Sequence, residues 1–181
     1  DGYINQSDIE HYKKKSVEYQ GRYGSTSDDG ENYSAGVRYS KDGKYICYPT
    51  DVNYGDDGVE FRLNMQKVGK TEEPVKIDSS VTSYTILDNN KILYKKAGND
   101  TLYINDKKGN KEKIASDVEY FYLDSDQKNI VWSESNGDGT INVCQQDVAL
   151  KKEKKTLAKD VDSFYASSDL KYVVVQEQDT L

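Results

Sequence analysis

A degenerate repeat of about 40 residues constrains the fold of this chain more than any other feature of its sequence. The clearest copy spans Val81–Asp117 and reads VTSYTILDNNKILYKKAGNDTLYINDKKGNKEKIASD. It contains four short runs rich in Val, Ile, Leu, Tyr or Thr, which are residues that suit a pleated, half-buried strand. The four runs are Val81–Leu87, Lys91–Lys95, Thr101–Asn105 and Lys111–Ala115. Asn, Asp and Gly fill the short turns between the runs, so this copy predicts a four-stranded antiparallel meander.

The same pattern returns before and after the central copy. Val118-Glu119-Tyr120-Phe121 and Val161-Asp162-Ser163-Phe164 repeat Val81-Thr82-Ser83-Tyr84, with spacings of 37 and 43 residues. The second strands align as KILY, KNIVW, KYVVV and KYICY, which begin at Lys91, Lys128, Lys171 and Lys44. Copies in register with four strands each are typical of β-propeller blades. The sequence therefore predicts an all-β fold, a partial β-propeller of consecutive four-stranded antiparallel meander blades of about 40 residues.

The repeat divides the chain into a short non-repeat N-terminal segment, residues 1–35, and a repeat region, residues 36–181. In the N-terminal segment Ser7–Glu10 has the spacing of a capping box and predicts a short helix. The predicted blades cover about residues 36–80, 81–117 and 118–160, and a half-blade covers residues 161–181. The first blade carries an insertion, Pro49–Gly58, after its second strand.

The half-blade leaves an open strand edge, for which the sequence allows three accounts. The N-terminal strands complete it, another molecule completes it, or the natural protein is longer and this chain is a piece of it. We favour the third account, because three and a half blades are too few for a usual ring. Under the second account, the expected partner includes another copy of the chain, associating through the open edge of the half-blade.

Composition narrows the classes of partner. Hydrophobic residues make up 35% and charged residues 31% of the chain, so the core must be thin and spread over small sheets. The 16 Tyr residues combine a large apolar body with a polar tip, which suits the seams between blades. The net charge of −7 argues against nucleic acid as a partner, because phosphates require a positive surface. No run approaches the roughly 20 apolar residues that span a bilayer, so we predict no membrane contact in this segment.

Residues that carry enzyme chemistry are scarce. His11 is the only histidine, and it lies in a polar segment outside the repeats. Cys47 and Cys144 are the only cysteines, and without a CxxC pair they predict two independent buried thiols, with a disulfide as the alternative. No GxSxG, HExxH, GxGxxG or Walker sequence occurs. We therefore predict no catalytic residue, no metal ion and no cofactor.

Candidate ligand contacts come from two acidic turns. Tyr54, Asp56 and Asp57 lie in the insertion, and Asn136 and Asp138 lie in the turn SESNGDG of the third blade. Variable loops on a rigid scaffold often carry recognition, so these five residues are the predicted ligand-binding positions. Both segments depart from the calcium-loop pattern. For their carboxylates we therefore predict turn formation rather than calcium binding.

Four aromatic residues allow two interpretations. Tyr48, Tyr54, Trp132 and Tyr165 either form a platform for a carbohydrate or peptide, or pack into the seams between blades. We favour seam packing, because Tyr48 and Trp132 take the repeat position of Tyr94.

The phrases LYINDKKGNKEKIASDV and SDLKYVVV resemble the degenerate propeller repeats of the TolB-like and WD40-like type. The resemblance covers about residues 37–181. Similar repeats occur in uncharacterised, membrane-anchored surface proteins of Gram-positive bacteria, which implies an extracytoplasmic, cell-surface location for this chain.

We expect a non-enzymatic β-propeller-like module that binds a protein or peptide, because stacked blades present variable loops on a rigid scaffold. One alternative is a fragment of a carbohydrate-binding or hydrolytic propeller enzyme whose site needs missing blades. Another is a structural spacer without a ligand. Carboxylates with shifted pKa values around a concave centre would favour the enzyme, whereas an exposed apolar patch at the open edge would favour partner binding or self-association.

Overall fold

A computed structural model describes residues 36–55, 58–106 and 108–177 of the 181-residue chain. These residues form thirteen β-strands, and no helix occurs among them. The strands are rich in β-branched and aromatic residues, and Asn, Asp and Gly occupy the turns, because these residue types favour those conformations. The predicted helix after Ser7, the rest of the N-terminal segment with His11, and the candidates Asp56 and Asp57 lie outside the described residues.

The described chain divides into two compact units. The first comprises residues 36–97 and 104–112, and the second comprises residues 98–103 and 113–177. The first seven strands form one sheet in chain order. They are β1 (Arg38–Tyr39), β2 (Tyr45–Gly55), β3 (Gly58–Lys67), β4 (Val75–Ile86), β5 (Ile92–Lys96), β6 (Thr101–Asn105) and β7 (Lys111–Ala115).

The remaining six strands form a four-stranded and a two-stranded antiparallel sheet. They are β8 (Val118–Leu123), β9 (Asn129–Ser135), β10 (Ile141–Asp147), β11 (Lys155–Val161), β12 (Ser163–Ala166) and β13 (Val173–Gln176). The first of these sheets has the order β11-β10-β9-β8, which is a meander, and β12 pairs only with β13. The predicted fold class, an all-β partial β-propeller of consecutive antiparallel meanders, is confirmed.

The strand β4 belongs to two successive meanders. Its first part pairs with β3, as in the pair Leu63↔Asp78, and its second part pairs with β5, as in the pair Tyr84↔Tyr94. Ser80, at the junction, has a φ of 54°, in the left-handed region that bends the strand. The repeat boundary is therefore a bend in the chain, and the outer strand of one blade continues directly into the inner strand of the next.

The left-handed bend recurs at the later boundaries. Asp117 has a φ of 57° and Asp160 a φ of 54°, and each directly precedes the Val that opens the next repeat. The three bends thus have the repeat spacing of 37 and 43 residues. Asp is among the few residues with a Cβ that adopt this conformation at low cost, since its side chain bonds locally.

In the insertion predicted at Pro49–Gly58, residues 49–55 continue β2 and Gly58 begins β3, so the strand boundary predicted at Pro49 is wrong. Pro49 pairs with Leu63, and the β2–β3 ladder continues to the pair Gly55↔Gly58. Proline is tolerated here because, among the described residues, β1 pairs with β2 at Ile46 and Cys47 and no strand pairs with the outer side of Pro49.

Aromatic rings join neighbouring strands within the first unit. The ring of Tyr84 meets that of Phe61 edge to face, with 6.0 Å between centroids. The Tyr84 hydroxyl donates a hydrogen bond to the carbonyl of Cys47 at 3.0 Å, and the Arg38 guanidinium carbon lies 5.4 Å from the ring centroid. The first aromatic residue of the central repeat therefore anchors β4 against β2 and β3.

Phe164, in the same repeat position as Tyr84, anchors β12 and β13 in the second unit. Its ring meets that of Tyr122 on β8 edge to face, with 5.3 Å between centroids. The cluster around it includes residues of β9, β10, β11 and the pair β12–β13. Its members are Val131, Ile141, Val143, Val161, Phe164 and Leu170, with Tyr122, Ala158, Ala166, Val173 and Val175 packed against them. One face of β12–β13 is thus buried against the β8–β11 sheet.

Candidate functional site

The predicted ligand residues Asn136 and Asp138 form the turn between β9 and β10. The Asn136 amide donates to Thr140 Oγ1 at 2.9 Å and to Asp160 Oδ1 at 3.1 Å, and its oxygen accepts from Asn142 at 2.6 Å. Asp138 Oδ1 accepts from the hydroxyl of Thr140 at 2.7 Å and from its backbone N–H at 2.9 Å. These bonds lower the pKa of Asp138. Both side chains therefore shape the turn, and the Asn136 amide has little capacity left for a ligand.

Tyr54, the third described candidate, lies near the tip of a two-stranded arm. The arm comprises residues 51–55 and 58–60, which pair only with each other among the described residues. The Tyr54 side chain is 79% exposed, and residues 51–55 are all exposed. Arg62 lies 3.8 Å from Asp51 at the base of the arm. The structure thus presents an exposed Tyr54 opposite a buried Val59, in a different unit from the turn that contains Asn136.

The four aromatic residues divide into two groups. Tyr48 and Trp132 are 6% and 0% exposed, as the predicted seam packing requires. Tyr54 and Tyr165 are 79% and 70% exposed, so seam packing is wrong for both. Trp132 donates its ring N–H to Glu134 at 2.9 Å, and Glu134 in turn pairs with Lys154 at 3.0 Å.

Tyr165 belongs to an exposed apolar face whose other members, Tyr172 and Val174, were not candidates from the sequence. Tyr165 pairs with Val174 across β12 and β13, and Tyr172 lies two residues before Val174 on the same side. The exposed fractions are 70% for Tyr165, 72% for Tyr172 and 64% for Val174. We call these three side chains the terminal face. The repeat could have indicated this face. Val174 and Tyr165 occupy the same repeat positions as Val131 and Tyr122, which are packed in the preceding copy.

A buried carboxylate, Asp78 on β4, is a second feature that the sequence did not reveal. It is 9% exposed and accepts hydrogen bonds from Tyr94 Oη at 2.9 Å, Lys96 Nζ at 2.9 Å, Lys111 Nζ at 3.0 Å and the Ser79 N–H at 2.8 Å. Burial raises the pKa of Asp78, but these hydrogen bonds outweigh it and lower the pKa to about 2. The carboxylate is therefore ionised at neutral pH and ties β4, β5 and β7 together.

Two turns repeat one hydrogen-bond arrangement, and the motif Ser-x-Asp-x-Lys-Tyr encodes it. Ser40 donates to Asp42 Oδ1 at 2.7 Å, and Ser167 donates to Asp169 Oδ1 at 2.8 Å. Each carboxylate also accepts the N–H of the Lys two residues on, at 3.1 Å in both turns. The serine bonds come first among the causes that lower the pKa of both carboxylates, which falls to about 2 at Asp169. These aspartates stabilise turns.

Both cysteines are free and buried, so the predicted pair of independent thiols is confirmed. Burial raises the pKa of Cys47 and of Cys144, which keeps both sulfurs protonated and weakly nucleophilic. Within residues 36–55, 58–106 and 108–177, no group of three or more His, Cys, Asp or Glu side chains is arranged to hold a metal ion. No helix in that part of the chain has the length and apolarity needed to cross a bilayer.

Comparison with solved structures gives a distant similarity to the crystal structure of the tricorn protease, with a TM-score of 0.41 and 15% sequence identity. The alignment covers 84% of this chain and 20% of that chain, so this chain spans one fifth of the protein that it matches. No protein-family model and no curated protein matches the sequence. At this distance the similarity carries no information about activity.

Proposed function

We propose that this chain is a non-enzymatic β-propeller-like module that binds a protein or peptide at the cell surface. The arm carries this proposal, because it exposes Tyr54 on a ladder that no third strand supports among the described residues. Residues 51–55 are all exposed, so a partner that packs on this strand gains contact area with Tyr54. Tyr is among the residues that contribute most to binding when a partner covers them.

The titratable groups support binding over catalysis. A general acid at neutral pH requires a raised carboxyl pKa, and the carboxyl pKa shifts resolved in the described chain are all downward. The two thiols have raised pKa values and are buried, which is the reverse of an activated nucleophile. The cell-surface location rests on the resemblance of the repeats to those of Gram-positive surface proteins.

A peptide-display experiment tests the proposal. The 181-residue chain is immobilised and panned against a random peptide library, and an enriched peptide is synthesised for titration by fluorescence anisotropy. We expect Tyr54→Ser to weaken binding about tenfold or more, which corresponds to about 1.4 kcal/mol. Tyr120→Ser is the matched control, because Tyr120 is a 45% exposed tyrosine on β8 that lies outside the arm. Failure to enrich any peptide, or equal affinities of the wild type and Tyr54→Ser for every enriched peptide, would contradict a binding role for the arm.

A further inference from the structure

Asn136 is the one asparagine of the sequence that a glycine follows. An asparagine followed by glycine is prone to lose its side-chain amide, because glycine has no side chain to shield its backbone nitrogen and adopts many backbone conformations. Both residues are exposed in the turn between β9 and β10, and Gly137 has a φ of 81°, in the left-handed region. Water therefore reaches a pair whose residue types permit deamidation.

Deamidation of such a pair needs water and no other reactant. The backbone nitrogen of Gly137 attacks Cγ of Asn136, the Cγ–Nδ2 bond breaks, and ammonia leaves with the proton of the Gly137 nitrogen. Water then opens the resulting succinimide ring at either of its carbonyl groups. The product is aspartate or isoaspartate at position 136, so a neutral amide becomes a carboxylate.

The folded turn holds the amide of Asn136 on three neighbours. Its Nδ2 donates to Thr140 Oγ1 at 2.9 Å and to Asp160 Oδ1 at 3.1 Å. Its Oδ1 accepts from the side chain of Asn142 at 2.6 Å. Thr140 lies directly before β10, Asn142 on β10 and Asp160 on β11, so the amide is directed towards the strands that follow the turn.

The attacking nitrogen has a hydrogen bond on the other side of the turn. The Gly137 N–H donates to Ser135 Oγ at 3.4 Å, and Ser135 is the last residue of β9, the strand before the turn. The amide and the nitrogen that attacks it are thus bonded to different strands. Because the attack brings the Gly137 nitrogen onto Cγ of Asn136, these hydrogen bonds must open before it occurs.

The product does not fit the closed turn. A carboxylate at position 136 has no N–H to donate to Thr140 or Asp160, and it faces the carboxylate of Asp160 where a 3.1 Å hydrogen bond was. Two like charges at this separation repel each other. Asp160 is also the left-handed bend that leads into the last repeat, with a φ of 54°. Deamidation therefore loosens both the turn and the bend.

We propose that Asn136 is a site of spontaneous deamidation, that the reaction waits for the β9–β10 turn to open, and that its product keeps the turn open. The modification is a one-way conformational change of the second unit, and every opening of the turn adds to the modified fraction. The nucleophile, the amide and the residues that restrain them belong to this turn and the strands beside it. The site goes beyond the proposed role of the arm, which belongs to the first unit, so the two proposals can fail separately.

Incubation of the 181-residue chain in mildly alkaline buffer tests the proposal, and mass spectrometry of the tryptic peptide of residues 129–151 follows the conversion of Asn136. We expect the chain in guanidinium chloride to react at least about tenfold faster than the folded chain, because local opening limits the folded reaction. Thr140→Val replaces the hydroxyl that accepts from the amide by a methyl group. It should speed the folded reaction at least about threefold and leave the rate in guanidinium chloride unchanged. Asn99, an exposed asparagine in the β5–β6 turn, is followed by Asp100 and should stay unmodified over the same time.

Thr156→Val is the matched control, because Thr156 is an exposed threonine on β11 of the same unit that lies outside the turn. It should leave both rates within about twofold of the wild type. Asn136→Asp has the sequence of one product and should speed hydrogen exchange in residues 136–142 and 158–162, whereas Asn99→Asp, which also adds a charge in a hairpin turn, should not.

Circular dichroism confirms that each variant is folded. If Thr140→Val does not fold, the two wild-type rates and the hydrogen exchange of Asn136→Asp still decide the matter. The proposal is overturned if Asn136 stays unmodified in guanidinium chloride, or if it reacts equally fast in the folded and unfolded chains. It is also overturned if folded Thr140→Val reacts at the wild-type rate, or if Asn136→Asp exchanges hydrogen as the wild type does.

Discussion

Replacing Asp78 by Asn tests whether the buried carboxylate stabilises the first unit. The change removes the charge and leaves the shape of the side chain almost unaltered. The ammonium groups of Lys96 and Lys111, at 2.9 and 3.0 Å, then face a neutral amide, and Tyr94 loses a charged acceptor for its hydroxyl. We expect the variant to fold with a lower free energy of unfolding.

The expected loss is about 2 kcal/mol. Each ion pair contributes about 0.5–1 kcal/mol, because the side chains of Lys96 and Lys111 are 25% and 46% exposed and water screens them. The weaker bond from the buried Tyr94 hydroxyl adds about 0.5–1 kcal/mol. The three terms are comparable in size, so no single contact dominates.

The pH dependence follows from the lowered pKa. In the folded protein the hydrogen bonds lower the pKa of Asp78 to about 2, whereas in the unfolded chain it titrates at its ordinary value near 3.8. A group whose folded pKa is the lower one stabilises the fold above its unfolded pKa and loses that contribution as the pH falls through the folded pKa. The difference in stability between the wild type and Asp78→Asn should therefore be full above about pH 4 and shrink towards pH 2.

Urea unfolding followed by far-UV circular dichroism measures the effect, and hydrogen exchange in peptides of β4 and β5 locates it. Asp51→Asn is the control in the same unit, because Asp51 is 74% exposed and its ion pair with Arg62 is long, at 3.8 Å. It should change the free energy of unfolding by less than about 0.5 kcal/mol. If Asp78→Asn is as stable as the wild type at pH 7, or if the difference persists unchanged to pH 2, the assigned role of the carboxylate is wrong.

Two further predictions concern the bends and the thiols. Asp117→Val should destabilise the second unit by about 2 kcal/mol, because a β-branched residue resists the φ of 57°, whereas Asp117→Gly should stay within about 1 kcal/mol of the wild type. Fluorescence of Trp132 during urea unfolding measures both, and equal effects of Val and Gly would refute the conformational explanation. Cys47 and Cys144, at 0% and 1% exposure, should react with a thiol reagent only in urea. Labelling in buffer within minutes, detected by mass spectrometry, would show that the sheets open around them.

Local chemistry made the strands of the central repeat predictable. The ranges Thr101–Asn105 and Lys111–Ala115 are the same in sequence and structure, because turn-forming residues bound each strand on both sides. The burial of the first strand was less predictable, because Thr101, Leu102, Ile104 and Asn105 are all buried and neither face is open to solvent.

Features that depend on residues distant in sequence were not predictable. Asp78 is a polar residue in a strand whose lysine partners lie 18 and 33 residues away, and no local pattern joins them. The arm was not predictable for a different reason. Pro49 normally ends a strand, and it is tolerated here at an edge that no other described strand pairs with.

The position of a residue in the repeat also did not predict its solvent exposure. Tyr122 and Tyr165 are equivalent in the repeat, yet one is half-buried and the other is 70% exposed. Within the described residues, the next copy along the chain covers Tyr122, and no copy there covers Tyr165. For the five predicted ligand positions, the sequence could place Asn136 and Asp138 in a turn, but the hydrogen bonds that occupy them emerge only from the folded ladder.

The continuous strand β4 makes the border between the first two repeats the least suitable place to cut this protein. At a usual domain border a flexible tether can be nicked, or replaced by a longer one, without harm to either side. Here a cut beside Ser80 would divide the one strand that both repeats share, and would leave each repeat without part of its edge strand. We expect proteases to cleave more readily at the hairpin turns. Single repeats should likewise be excised or exchanged at those turns.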